Sequence, residues 1–291
     1  MPTLEAAGPN AEQITYWNEQ APRNWITREA MLDEQIAPLG LAAMERAKVA
    51  AGERVLDVGC GCGHTTLELA SRVGPRGSVT GIDISTPMLE RARERARERG
   101  LAGIRFLNAD AQSTRLEAAS FNLVFSRFGV MFFADPTAAF ATLRASLAPG
   151  GRVSFVCWQE VARNAWMSVP MRAAAQQVAL PAPPAPGTPG PTSFADPGRV
   201  RGILEGAGFT SVAIEPLEGT LVVGGAGASI EQAVEFTLQM GPTARALRET
   251  PSDAVARVAV AVREALAPHM TPKGVMLGYA AWIVSAGSGT A

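Results

Sequence analysis

The sequence predicts an α/β fold, a doubly wound and mostly parallel sheet, from three observations. Short β-branched runs alternate with helical patterns from about residue 54 to 158, the rhythm of parallel strands joined by crossover helices. A glycine-rich turn, Asp57-Val58-Gly59-Cys60-Gly61-Cys62-Gly63, separates the first strand from its helix, and glycine there lets the backbone turn tightly and approach a ligand. An acid, Asp83, closes the second strand.

The elements follow in order. Residues 1–50 form an N-terminal helical cap carrying Tyr16, Trp17, Trp25, Ile26, Met31, Leu32 and Ile36; such a segment either completes the core or forms a lid over the crevice at the carboxyl ends of the strands. The unit beyond it runs over 51–291, with its core sheet at about 51–160. Its strands are expected at Arg54–Val58, Ser78–Ile82, Ile104–Asn108, Leu123–Ser126 and Arg152–Trp158. After the second strand, Thr86 to Arg99 has proline near its start and Gly100 just past its end, which is helix punctuation. Its Glu90, Glu94 and Glu98, interleaved with arginines, imply a solvated face. Asp135-Pro136 resembles an N-cap, and Pro149-Gly150-Gly151 a turn into the fifth strand. The prolines of 180–197 exclude regular hydrogen-bonded structure. A helix at Pro197–Ala207, a strand at Phe209–Pro216, a helical insertion at about 229–268 and a last strand at about 275–286 complete the chain. The last strand pairs with its predecessor as an antiparallel edge.

Composition narrows the function. Of 291 residues, 47% are hydrophobic and 18% charged, with a net charge of −1; no arginine-lysine stripe offers itself to a phosphate backbone, so no nucleic-acid partner is expected. The N-terminus lacks a basic head and apolar core, and no stretch reaches the ~20 apolar residues of a membrane span. Three cysteines, two of them one residue apart, suggest a reducing cytoplasm. A cytoplasmic protein with a small-molecule partner, no membrane and an open oligomeric state is the expectation.

Which nucleotide the glycine turn holds can be narrowed. A dinucleotide site wants G-x-G-x-x-G, yet counting from Gly59 the third position is His64, and from Gly61 it is Thr66. The Gly-Lys-Ser/Thr of a P-loop is absent. Without a residue to neutralise phosphate, the turn suits a nucleoside carrying an amino-acid tail, which is S-adenosylmethionine. Asp57 would receive its ammonium directly or through water, the following helix N-terminus its carboxylate, and Asp83 both ribose hydroxyls.

Beyond these residues, Val55 to Gly63, Gly81-Ile82-Asp83-Ile84-Ser85, Asn108-Ala109-Asp110-Ala111-Gln112, Phe121 to Gly129 and Leu147 to Arg152 resemble the class I S-adenosylmethionine-dependent methyltransferases, especially their small-molecule and quinone-precursor branch. The resemblance is strong over about 50 to 160. It implies a Rossmann-like architecture in which Gly59, Cys60, Gly61 and Gly63 border the methionine and ribose, and Ile84 and Met88 flank adenine. It also implies that Asp110 accepts from the adenine amino group, with Ala111 and Gln112 beside it, and that Ser126 and Arg127 stand by the methyl-transfer site. Asn122 replaces the family's usual acid.

Candidates for catalysis are few. Arg127, at a strand's carboxyl end, would bind a substrate carboxylate or an internal acid; it is no base at neutral pH. His269 would hang over the substrate mouth or lie at the surface, and His64 would serve as a base only by pointing across the cofactor, and otherwise cap its helix or meet solvent. Tyr16, Trp17, Phe128, Met131, Phe132, Trp158 and Trp166 would wall an apolar pocket, although each alone also suits a core. Cys60, Cys62 and His64 lack the spacing of a zinc site, so no metal is expected. The leading expectation is in-line methyl transfer from S-adenosylmethionine to an oxygen, nitrogen or carbon of a small, partly apolar molecule. A regulatory protein that binds the cofactor without transfer is the rival, and a nicotinamide oxidoreductase a distant third.

Overall fold

The computed structural model describes residues 4–289; the predicted units 1–50 and 51–291 extend to residues 1–3 and 290–291, which lie outside the described residues. Helix α1 (Ala11–Thr15), a π-helical turn (Tyr16–Gln20), α2 (Pro22–Thr27) and α3 (Glu29–Arg46) precede the sheet. Then come β1 (Arg54–Val58), α4 (His64–Val73), β2 (Ser78–Asp83), α5 (Thr86–Glu98), β3 (Ile104–Asn108), β4 (Phe121–Arg127), α6 (Pro136–Ala145) and β5 (Leu147–Trp158). The remainder is α7 (Ala165–Ala175), α8 (Pro197–Gly206), β6 (Thr210–Val223), α9 (Ile230–Gln239), α10 (Gly241–Ala246), α11 (Ser252–Leu266), β7 (Met270–Thr271) and β8 (Gly274–Gly287).

The sheet runs β3-β2-β1-β4-β5-β8-β6, with β7 on β8. Strands β1 to β5 are parallel, and β8 is antiparallel to both β5 and β6. One expectation is corrected: β8 is not the edge but lies between β5 and β6. Its composition explains the insertion, since β8 is mostly buried along its length whereas β6 leaves Glu218 and Thr220 exposed, as an edge strand tolerates. Strand β6 also continues beyond Pro216 to Val223, because an edge strand can accommodate a residue without an N–H. Because β1 sits between β2 and β4, the strand order reverses there, and the crevice outside the carboxyl ends of β1 and β4 is the natural ligand position.

Local chemistry supports these elements. Asp135 caps α6 through Ala138 N at 3.0 Å, with Pro136 in the first turn. Asn122, the departure from the family pattern, accepts the first N–H of β1 from Arg54 at 2.9 Å. The fully buried Phe140 meets Phe133, Phe155, Phe194 and Phe209. Phe194 comes from the proline-rich segment, which is held further by Ser193 Oγ and Gly190 N donating to Met131 O and by Trp282 Nε1 donating to Ala195 O. That segment is irregular in hydrogen bonding, as expected, yet its end is core.

The N-terminal cap fulfils both alternatives at once. Helix α3 packs on α4, β5, β6 and β8, while α1 and the π-turn reach the strand ends. Asn18 Nδ2 donates to Ile84 O at 2.9 Å, its Oδ1 accepts from Thr86 N at 3.0 Å, and Asn10 Nδ2 donates to Asp110 at 2.9 Å. The solvated face expected of α5 is corrected in part: Arg91 grips Glu29 in a fork at 2.6 to 3.0 Å, and Arg95 reaches Asp33 at 2.8 Å. The acids that attract them belong to α3, far away in sequence. Helices α10 and α11 pack on both α7 and α9, and α9 rests on β6 and β8.

Removing the Phe194 ring should leave a cavity in this aromatic cluster. Phe194→Ala is expected to cost about 3–5 kcal/mol in urea unfolding; a loss below about 1 kcal/mol would mean that the proline-rich segment merely overlies the core.

Candidate active site

The chain leaves β1 through Gly59, Gly61 and Gly63 at φ 68°, 54° and 83°, backbone that favours glycine. Space demands glycine too. A methyl group on Gly59 would stand 2.7 Å from Gly129 Cα, and one on Gly61 would stand 2.9 Å from Met88 Cε. The first clash is backbone against backbone, so the turns after β1 and β4 touch only because both carry glycine. Ser126 secures that approach, its hydroxyl donating to Val58 O at 2.8 Å and accepting from Gly129 N at 3.2 Å.

Asp57 is fully buried, and its Oδ2 accepts from Thr65 and Thr66 hydroxyls at 2.7 Å each. Its Oδ1 has no partner. Burial pushes this carboxyl up to about 6, against the two threonine bonds and the field of Arg127. Direct contact with a ligand ammonium is therefore corrected: the carboxylate is turned toward the first turn of α4 and does not line the cavity.

Asp83 faces the cavity. Its Oδ2 accepts from Gly61 N and its Oδ1 from Ser85 N, both at 2.8 Å, leaving further lone pairs for a ligand. Desolvation raises its pKa while the backbone N–H groups oppose the rise. Asp110 Oδ1 accepts from Asn10 Nδ2 and Gln112 N at 2.9 Å, and its Oδ2 from Ser113 Oγ at 3.2 Å.

One cavity of about 240 Å³ gathers Gly59, Cys60, Gly61, Asp83, Ile84, Met88, Asp110, Ala111 and Arg127 with Trp17, Phe128, Met131, Phe132 and Trp158. The remaining expected residues stand off its wall. Gly63 opens α4, Ser126 joins the two turns, and Gln112 Oε1 accepts from Asp135 N at 3.0 Å. Tyr16 is behind Trp17, edge-on at 5.3 Å with the Arg248 guanidinium 5.3 Å from its ring centre. His269 ends the 3-10 turn after α11 and is not among the residues lining the cavity. Neither of these two catalytic candidates reaches the site.

The sequence reading missed Glu29, Asp33 and Gln35 on the α3 wall, together with Phe236 and Met240; Trp25, Leu32 and Ile36 of the cap, His64 and Trp166 line the cavity as well. Glu29 and Asp33, four apart and so on one face of α3, were the available signal. The guanidinium of Arg127 lies between Asp33 Oδ1 at 3.4 Å and His64 Nδ1 at 3.2 Å. Since arginine can only donate, His64 accepts at Nδ1 and keeps its proton at Nε2. Burial, with Arg127 nearby, lowers the His64 pKa although Asp33 opposes the fall. Burial likewise lowers that of Arg127, against Asp33 and Asp57.

A model of the methyltransferase domain matches residues 55–151. This region is a methyltransferase domain. Similar relatives include aklanonic acid methyltransferase of Streptomyces sp. (strain C5), 40% identical over 42% of this chain and 56% of the relative. Nocamycin O-methyltransferase of Saccharothrix syringae is 33% identical over 55% of this chain and 60% of its own. Each match thus spans less than two thirds of the relative's length. A Haemonchus contortus phosphoethanolamine N-methyltransferase 2 structure, with phosphomonomethylethanolamine and S-adenosylhomocysteine, shares the fold at TM-score 0.58 and 17% identity, over 96% of this chain and 60% of that one.

The cavity suits S-adenosylmethionine by donor chemistry. Glu29, Asp33, Asp83 and Asp110 line the cavity, while Arg127 is the sole guanidinium and lysine is absent among its described lining residues. Such a wall favours a cationic nucleoside over a phosphate. The glycine cradle gives it room, and Asp83 and Asp110 offer acceptors to hydroxyl and amino groups.

The buried Asp57 supplies a pH test. Its folded pKa of about 6 exceeds the ordinary aspartate value of 3.8, so the folded state binds the extra proton between these limits and stability falls as pH rises through them. Asp57→Asn removes that dependence: its stability relative to the parent should improve by about 3 kcal/mol between pH 3.5 and 7, measured by urea unfolding. A difference constant with pH would refute the raised pKa.

Proposed function

We propose that the chain is an enzyme that binds S-adenosylmethionine at the strand ends and transfers its methyl group to a small, partly apolar molecule. The observation that carries this reading is the Gly61 N–H bound to Asp83 Oδ2: one acid orders the glycine turn and keeps acceptor capacity facing the cavity. Asp83 would take the ribose hydroxyls, Asp110 the adenine amino group, and Ile84 and Met88 the faces of the base. Gly59, Cys60 and Gly61 would border the methionine portion, with Asp57 setting the turn from behind. Arg127 and the neutral His64 would border the methyl-transfer region. When bound, the cofactor supplies an electrophilic methyl on a sulfonium.

The chain's own part is then positioning and exclusion of water, which suffices for in-line displacement by a good nucleophile. Proton removal is weakly provided for. Glu29 is forked by Arg91, Asp33 is held by Arg95 and Arg127, and His64 Nδ1 already accepts from Arg127. An acceptor that arrives ionised, or needs no base, is favoured. Oxygen, nitrogen and carbon nucleophiles all meet that condition; the small-molecule names of the relatives support the acceptor class. No described helix is long and apolar enough to cross a membrane.

Radiolabelled methyl donor incubated with small phenols, carboxylic acids, amines and quinone precursors should give labelled product from at least one class. Tight donor binding without transfer to any would favour the rival role of a non-catalytic binding protein. In calorimetry, Asp83→Ala should weaken S-adenosylmethionine binding by about 1–3 kcal/mol; unchanged affinity would remove Asp83 from the site.

A further inference from the structure

We infer that the acceptor is a flat aromatic molecule bearing an oxygen, and that the Gln35 side-chain amide orients it by a hydrogen bond to that oxygen; this rests on the methyltransferase reading above. The α3 wall has two faces. Asp33 turns to Arg127 and Arg95 on the cofactor side. Arg28 bonds Glu235 and Gln239, and Met31 lies against Gly225, so positions 28 and 31 face α9 and its approach. Gln35 stands seven and four residues further on and thus shares that face, where Leu221 and Phe236 also line the cavity.

The same cavity is walled by ring faces. Phe128 and Trp158 stack at 4.1 Å and 11°, and Trp166 leans on Trp158 at 5.2 Å. Across the mouth, Trp17 meets Phe132 edge-on at 5.3 Å and 89°. Phe128 holds φ at +61°, strained backbone for a bulky residue, of the kind that collects at ligand sites. Planar walls of this sort gain most from a planar aromatic guest.

Gln35 is the polar exception. It is 9% exposed, lines the cavity, and its Nε2 has no hydrogen-bond partner. A buried donor without an acceptor is costly, and the soft terminal torsion of glutamine lets the amide turn its NH₂ toward an occupant. A carbonyl or phenolate oxygen would complete it. The bond fixes the ring in its plane without touching the cofactor, so the residue selects and positions the acceptor and takes no part in the chemistry.

Equilibrium dialysis of 1-acetylnaphthalene and 1-ethylnaphthalene, which differ in one carbonyl oxygen, tests this without turnover. Gln35→Leu should weaken binding of the ketone about tenfold and leave the hydrocarbon no weaker. Gln35→Met, similar in length, should do the same, and thermal unfolding shows that each variant is folded. Equal ketone affinity in parent and variants, or equal weakening of both probes, would overturn the assignment. Should the ketone-selective loss appear while labelled-donor assays show no transfer, the catalytic reading fails and only the Gln35 contact to a bound aromatic stands; transfer without the ketone-selective loss sinks this inference alone.

Discussion

One buried cation ties the active site together. The Arg127 guanidinium at the end of β4 contacts Asp33 of the cap and His64 of the helix after the glycine turn, and feels the charge of Asp57 beneath that turn. Three separate segments therefore converge on it. Removing one partner of such a buried pair would leave a charge uncompensated, at a cost of about 3–5 kcal/mol, which is comparable to the whole stability margin of many domains. The position of α3 over the strand ends, and with it the shape of the cavity, follows from satisfying this charge.

The same convergence accounts for the chemistry. Acids on the wall come from both the cap and the sheet, so the cavity is negative where a sulfonium would sit. Those acids are engaged: Asp83 by backbone N–H groups, Glu29 and Asp33 by arginines of α5 and β4. They stabilise positive charge yet are poor bases, which suits a reaction in which placement dominates.

Much of the fold was legible because its signals are local. Glycine turn, strand and helix succeed one another within about ten residues, and Asp135-Pro136 announces α6 by cap chemistry alone. The cavity acids Asp83 and Asp110 were equally legible, each standing at or just past a strand's carboxyl end. The misplaced edge had a long-range cause: whether β8 ends the sheet or enters it depends on partners more than 50 residues away, and burial on both faces decides it. Gln35, Asp33 and His64 were hidden for a similar reason. A polar residue on a helix is ordinarily solvated, and only docking of α3 turns these groups inward. Tyr16 and His269 show the converse, since residue type proposed them and topology set them aside.

The central claim is that the cofactor is held between the sheet ends and the N-terminal cap. Hydrogen–deuterium exchange with and without S-adenosylhomocysteine addresses it directly. Added ligand should slow exchange in residues 10–36 together with 57–64 and 81–88, while residues 252–266 of α11 remain unchanged. Protection confined to the glycine turn, with the cap exchanging as before, would contradict the account.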